Sequence, residues 1–233
     1  MEKSENLQFM DNILSARQRI QITALGLFIL CVSWIVFGVI SISPVKQEWT
    51  NSDYLHWVSK PSLSFTLTYI NATLLTIIDI ILFYFLYSYL NVFNKILAQL
   101  GLIFIPIYGV LNIVCYSIQI ATVPSIAKIA LESGNIDFAI QLVQAKNDTL
   151  IGYLNGLAYT ILGIPSILYG YLLVKQRIRV SGLFLITSAI FDFIGIAGYL
   201  IGNKTLAIGM ILGGVAFTIA LICIVVEFKK LKK

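Results

Sequence analysis

LSFTLTYINATLLTIIDIILFYFLYSYL, residues 63–90, decides the fold: 28 residues hold one acidic or basic side chain, Asp79. The hydrocarbon core of a bilayer is about 30 Å thick and a helix rises about 1.5 Å per residue, so a span needs roughly 20 apolar residues. Five further stretches meet that length: 20–42, 97–122, 151–174, 182–202 and 206–226. The 233-residue chain is 58% hydrophobic and 12% charged, with a mean hydropathy of +0.89. A soluble domain carries far more charge to cover its surface.

The reading is an all-α polytopic membrane helix bundle with six transmembrane helices. Residues 1–19 form a cytoplasmic amphipathic N-terminal segment, 20–226 the membrane domain and 227–233 a basic cytoplasmic tail. The first apolar run follows Lys3, Arg17 and Arg19 but lacks a small-residue cleavage site, so it reads as a retained span rather than a signal peptide.

Orientation follows from the retention of Lys and Arg on the cytoplasmic side. With both termini cytoplasmic, that side holds Lys3, Arg17, Arg19, Lys95, Lys175, Arg177, Arg179, Lys229, Lys230, Lys232 and Lys233, eleven of the sixteen basic residues. Lys46, Lys60, Lys128, Lys146 and Lys204 fall outside, and the two longer outer loops also carry Glu48, Asp53, Glu132, Asp137 and Asp148. The expected location is the cell membrane.

A net charge of +5 in a soluble protein would raise the question of nucleic acid. Here the basic residues flank spans, so the expected partners are membrane lipids, anionic ones above all, and no nucleic acid. Cys31, Cys115 and Cys223 lie in apolar runs, there is no CxxC, and His56 is the single histidine. Neither a zinc site nor a disulfide framework fits that set, and no metal or cofactor is expected.

Trp49, Tyr54 and Trp57 in the first outer loop suit an interfacial aromatic belt, and His56 beside them a solvated loop histidine. The loop 123–150 has the pattern of two short helices broken at Gly134-Asn135. Ile126, Ile129 and Ala130 make the apolar pattern of one, Phe138, Leu142 and Val143 that of the other. It reads as a connector or as a lid over an outer cavity.

Polar groups within spans carry the functional information, since a charge in lipid must face protein or water. Two acids qualify, Asp79 and Asp192, each about 10 to 11 residues, or about 16 Å, from the cytoplasmic end of its helix. Helical spacing places Thr68, Ala72 and Thr76 near Asp79, and Ser188, Ala189, Gly195 and Tyr199 near Asp192. The third span adds Tyr108 at similar depth and Asn112 a turn further out. The candidate site is therefore an intramembrane polar cluster of Asp79, Asp192, Thr76, Ser188, Tyr199, Tyr108 and Asn112. It suits either neutral aspartates bonded to neighbouring helices or a midplane proton or cation relay in which two carboxyls titrate as a pair. No catalytic residue is assigned, because no intramembrane histidine, nucleophile motif or metal constellation accompanies the acids.

Asp79 and Asp192 each sit in the middle span of a three-span half, flanked by apolar residues. Related halves with an odd number of spans would be inverted, as in many secondary transporters. Gly152/Gly156, Gly198/Gly202 and Gly209/Gly213 each make a GxxxG, which lets helix backbones touch within the bundle or across a homodimer seam. Pro106 and Pro165 lie inside spans, where a missing amide donor predicts a kink. Asn71, Asn147 and Asn203 head glycosylation-type tripeptides, with Asn147 the one clearly in an outer loop.

The stretch GYLNGLAYTILGIPSILYGYLLVKQRIRVSGLFLITSAI, residues 152–190, resembles the carboxy-terminal half of a bacterial family of small six-span membrane proteins of unknown function. Small-residue spacing, Tyr-Gly-Tyr-Leu at 169–172 and a short basic turn before a Gly-started span carry the resemblance. The family's turn often holds proline, and residues 175–181 here have none. The resemblance implies an architecture and transfers no activity. The functional expectation is a non-enzymatic membrane protein, either a small transporter-like unit or a helical scaffold. The alternatives are a membrane enzyme acting on lipid through the two aspartates, and a sensor or accessory subunit of a membrane complex.

Overall fold

In the computed structural model, residues 2–46, 48–146 and 148–231 are described, with side chains from Ser15 onward. The side chain of Lys3, the sequon residue Asn147, and Lys232 and Lys233 of the tail lie outside the described residues. Among the described residues every regular element is an α-helix: α1 Glu2–Ile42, α2 Asn51–Ser59, α3 Leu63–Leu90, α4 Lys95–Ala121, α5 Val123–Ser133, α6 Ile136–Gln141, α7 Leu150–Lys175, α8 Arg179–Leu200, α9 Lys204–Ala207 and α10 Gly209–Lys230. Six segments are long and apolar enough to cross a membrane: Ser15–Ile42, Leu63–Leu90, Lys95–Ala121, Leu150–Lys175, Arg179–Leu200 and Lys204–Lys230. The protein is an all-α, multi-pass membrane bundle. Runs rich in Ile, Val and Phe favour strands in water, but in lipid each amide must be bonded within its own segment, which selects helix.

Residues 2–19 and the first span are one helix without a break. Residues 227–230 are likewise helical and complete the last turn of α10. Helices α4 and α7 run through Pro106 and Pro165 without ending. Two compact units share the chain. The first takes residues up to Ile29, Ile78–Ile107 and residues from Thr160 on; the second takes Leu30–Ile77 and Tyr108–Tyr159.

In the first unit α8 is approached at backbone distance by α7 and by α10. A Cβ on Gly170 would stand 2.6 Å from the carbonyl oxygen of Gly182, and one on Gly209 2.6 Å from that of Phe191. Gly163 faces Ala189, and Gly195 faces Met210. The contacts at Gly170, Gly195 and Gly209 leave no room for a side chain, and that at Gly163 is tight. Tyr169 is fully buried; its ring occupies the space beside Gly101 and its hydroxyl donates to the Ala98 carbonyl at 3.1 Å.

The helix ends of this unit are tied by polar side chains. Arg17 donates to the Leu231 carbonyl at the end of α10 (3.1 Å), where a cation suits the helix dipole, and lies 5.8 Å over the Tyr89 ring. Arg19 lies 5.8 Å over Phe85, and Gln21 donates to the Val225 carbonyl at 3.2 Å. Glu227 accepts from the amides of Val180 (3.2 Å) and Ser181 (2.8 Å) and from the Ser181 hydroxyl (2.6 Å). The start of α8 has no cap from its own N-cap residue, Ile178, so α10 supplies it.

The second unit is built around Leu55, Val58, Phe65, Tyr69, Tyr116, Val123, Ala127, Ala130, Ala139, Ile140 and Val143. Helix α2, not foreseen in the aromatic loop, starts with a capping box in which Thr50 and Asp53 bond each other's backbone amides. The tryptophans that suggested a belt also pack edge to face inward, Trp49 on Trp57, Trp57 on Phe65 and Phe65 on Tyr69. The two short helices of the second loop are present, and Gly134, at φ 75°, ends the first with a left-handed turn. Val123, Ala127 and Ala130 of α5 and Ala139, Ile140 and Val143 in and after α6 are buried, while Ile129 and Phe138 are 64% and 65% exposed. Alanine at those positions lets α5 lie close to α2, which turns the larger Ile129 outward. Gln119, fully buried in α4, donates to the Leu142 carbonyl (2.8 Å) and accepts from the Gln144 amide (3.1 Å), fixing the chain after α6.

The hydrogen bonds from the Thr50 hydroxyl and amide hold the Asp53 carboxyl below its ordinary pKa. The folded state therefore favours the ionised form. That contribution is full above the ordinary aspartate range and is lost as pH falls beneath it, through the lowered folded value. Amide protection across α2, taken relative to intrinsic exchange at each pH, should fall on acidification through that window, and Asp53→Asn should flatten the pH dependence; equal acid sensitivity in the variant would remove the capping box as its source.

Candidate functional site

The seven side chains singled out from sequence divide between the units, Asp79, Ser188, Asp192 and Tyr199 in the first and Thr76, Tyr108 and Asn112 in the second. In the first unit Asp192 is 6% exposed, and its carboxylate lies against Gly213 of α10 so closely that a Cβ there would collide with Oδ1. One turn earlier on α8, Ser188 donates to the Gly213 carbonyl at 2.9 Å. Acid, hydroxyl and glycine thus form one joint between α8 and α10.

Asp79, in α3, is 1% exposed. One turn beyond it Phe83 stacks on Phe217, 6.4 Å between centroids and 10° between planes, and tilts against Tyr169 at 5.7 Å. Phe217 lies one turn beyond Gly213. As second and sixth spans, α3 and α10 run in the same direction, so Asp79 and Gly213 occupy one level, and Asp192 lies there with them. Tyr199, only partly buried, is seven residues along α8 from Asp192, about 10 Å by helical rise.

In the second unit Thr76 is fully buried and donates to the Ala72 carbonyl of its own helix (2.9 Å), which spends its proton locally. Tyr108 and Asn112, both fully buried, belong to a face of α4 that repeats every four residues and continues to Tyr116. Asn155 of α7 donates to Asn112 Oδ1 (2.8 Å) and to the Tyr116 hydroxyl (3.0 Å), which shares a hydrogen bond with the Tyr159 hydroxyl (2.8 Å). The Tyr108 and Tyr159 rings lie 5.8 Å apart, and Tyr69 tilts against Tyr116 at 6.2 Å. Tyr116, Asn155, Tyr159 and Glu227 were not singled out from sequence. The first three had a usable signal, since Asn155 and Tyr159 are one turn apart on α7 and match the Tyr108, Asn112, Tyr116 spacing on α4.

Gly209 and Gly213 face α8, and Gly198 faces Leu206 and Ala207, so these faces are occupied within the chain. Asn71 is buried at 6% exposure, and Asn203 caps α9 by accepting from the amides of Thr205 (3.0 Å) and Leu206 (3.2 Å). A groove of about 310 Å³ opens on the second unit between Ile70, Thr73 and Leu74 of α3 and Ser117, Ile120 and Ala121 of α4. None of these six can act as an acid or base at neutral pH. Among the described residues no three His, Cys, Asp or Glu side chains group as metal ligands would. Comparison of the chain with protein families, with curated proteins and with solved structures finds no match in any of the three.

Proposed function

We propose that the chain is a non-enzymatic multi-pass protein of the cell membrane, a helical scaffold with both termini cytoplasmic, whose intramembrane polar groups join helix to helix. The joint of Ser188, Asp192 and Gly213 carries this reading: a hydroxyl in the membrane donates to a carbonyl of the neighbouring helix, and a carboxyl packs against the same glycine. A carboxyl so enclosed faces protein rather than lipid, as a polar group within a span must. The gathering of Arg17 and Arg19 of α1 with Arg179, Lys229 and Lys230 about the tied ends of α8 and α10 supports the cytoplasmic assignment of that end. The same cations fit anionic lipid headgroups as partners.

A transporter-like proton relay is the second reading, favoured by the single level that Asp79 and Asp192 share. Asparagine, isosteric with the neutral acid, separates the two. As a scaffold, Asp79→Asn and Asp192→Asn should each fold and stay within about 1 kcal/mol of the wild type in thermal stability, and wild-type proteoliposomes should take up no more protons than protein-free vesicles. Uptake by the wild type that both substitutions abolish, with folding intact, would replace the scaffold with the relay. A lipid-active enzyme is less well supported, because the lipid-open groove contains neither aspartate.

A further inference from the structure

The buried network of the second unit does not close on its own atoms. Both hydrogens of the Asn155 amide are committed, one to Asn112 Oδ1 and one to the Tyr116 hydroxyl. Asn112 is fully buried, and its Nδ2 has no acceptor. Exchanging O and N on Asn112 alone would set two NH₂ groups face to face. Exchanging them on both asparagines restores the contact but moves the deficit to Asn112 Oδ1. Every assignment leaves one polar atom of Asn112 unbonded, and in the low dielectric of a membrane interior such an atom pays its full desolvation cost.

We infer that Asn112 binds an internal water molecule between α4 and α7. Water donates and accepts, so it completes the network under either amide assignment. The four side chains in these bonds, Asn112, Tyr116, Asn155 and Tyr159, are amides and phenols, which suits a neutral guest that both donates and accepts. A large one does not fit, since Asn112 is fully enclosed and Tyr116 is 2% exposed. Tyr69 tilts over Tyr116, and Gln119, with both ends of its amide bonded, closes the next turn of α4. A buried water held by two or three such groups is a lasting part of a fold.

Radiolytic hydroxyl footprinting of the full chain in micelles tests this, because a bound water activated in place oxidises the rings beside it. Tyr169 is the internal control: it is fully buried, and its hydroxyl is satisfied by the Ala98 carbonyl. Tyr116 should be modified several-fold faster than Tyr169 despite equal enclosure. Asn112→Leu, which removes the unbonded atom and the water together, should bring Tyr116 down to the Tyr169 rate. Equal rates for the two tyrosines in the wild type overturn the inference, and that comparison needs no variant. Undiminished Tyr116 oxidation in a folded Asn112→Leu chain overturns it too.

Discussion

Gly213→Val should lower the stability of the purified chain by about 2 to 3 kcal/mol, the upper range for overpacking a closed interface. The first added carbon already overlaps the Asp192 carboxylate, and the Ser188 carbonyl stands 3.2 Å from the same point. Neither obstacle can retreat easily, since Gly195 and Gly209 hold α8 and α10 together one turn away. Pushing the helices apart would also break the bond from the Ser188 hydroxyl to the Gly213 carbonyl. Denaturant unfolding in mild detergent measures the loss. Asp192→Ala in the same chain clears the space, so the pair should recover much of it, a coupling that a double-mutant cycle isolates. A valine variant within about 0.5 kcal/mol of the wild type would mean that the seam is loose and that Asp192 is free to do something else.

Glu227→Ala should cost about 2 kcal/mol, because three donors at the head of α8 lose one charged acceptor. Glu227→Gln keeps an oxygen but gives up the favourable interaction of a negative charge with the amino end of a helix, so about half that loss is expected. Hydrogen exchange reads the effect where it arises: the amides of Val180 and Ser181 should lose protection in the alanine variant while those in the middle of α8 keep theirs. Unchanged protection at both amides would show that water caps α8 equally well.

The six spans were legible because length and apolarity alone report them, and the pair α5 and α6 because Gly134 marks a turn that other residues avoid. Thr50 and Asp53 held the signature of a helix start, but the aromatic residues after them suggested an interface and drew the reading away from α2. Ile129 and Phe138 belong to the apolar pattern of that loop yet are exposed, because hydrophobicity does not report burial where alanines set the packing distance and the exterior is itself apolar. Other features had no local signal. The glycines of α8 and α10 announced a close contact without saying that each would face the other helix. Glu227, in a cluster of lysines, read as part of a solvated end, and its partners lie 46 and 47 residues earlier in the chain.

That separation has a consequence for synthesis. The amides at the head of α8 leave the ribosome first, and the carboxylate that satisfies them follows after 46 to 47 residues, about 2 to 10 seconds at ordinary elongation rates. Throughout that interval the start of the fifth span stays frayed in the headgroup region and is held by water. Only when the last turn of the sixth span emerges can the pair lock, so the nascent chain passes a checkpoint at Glu227: until that turn is made, the head of the fifth span waits for its cap.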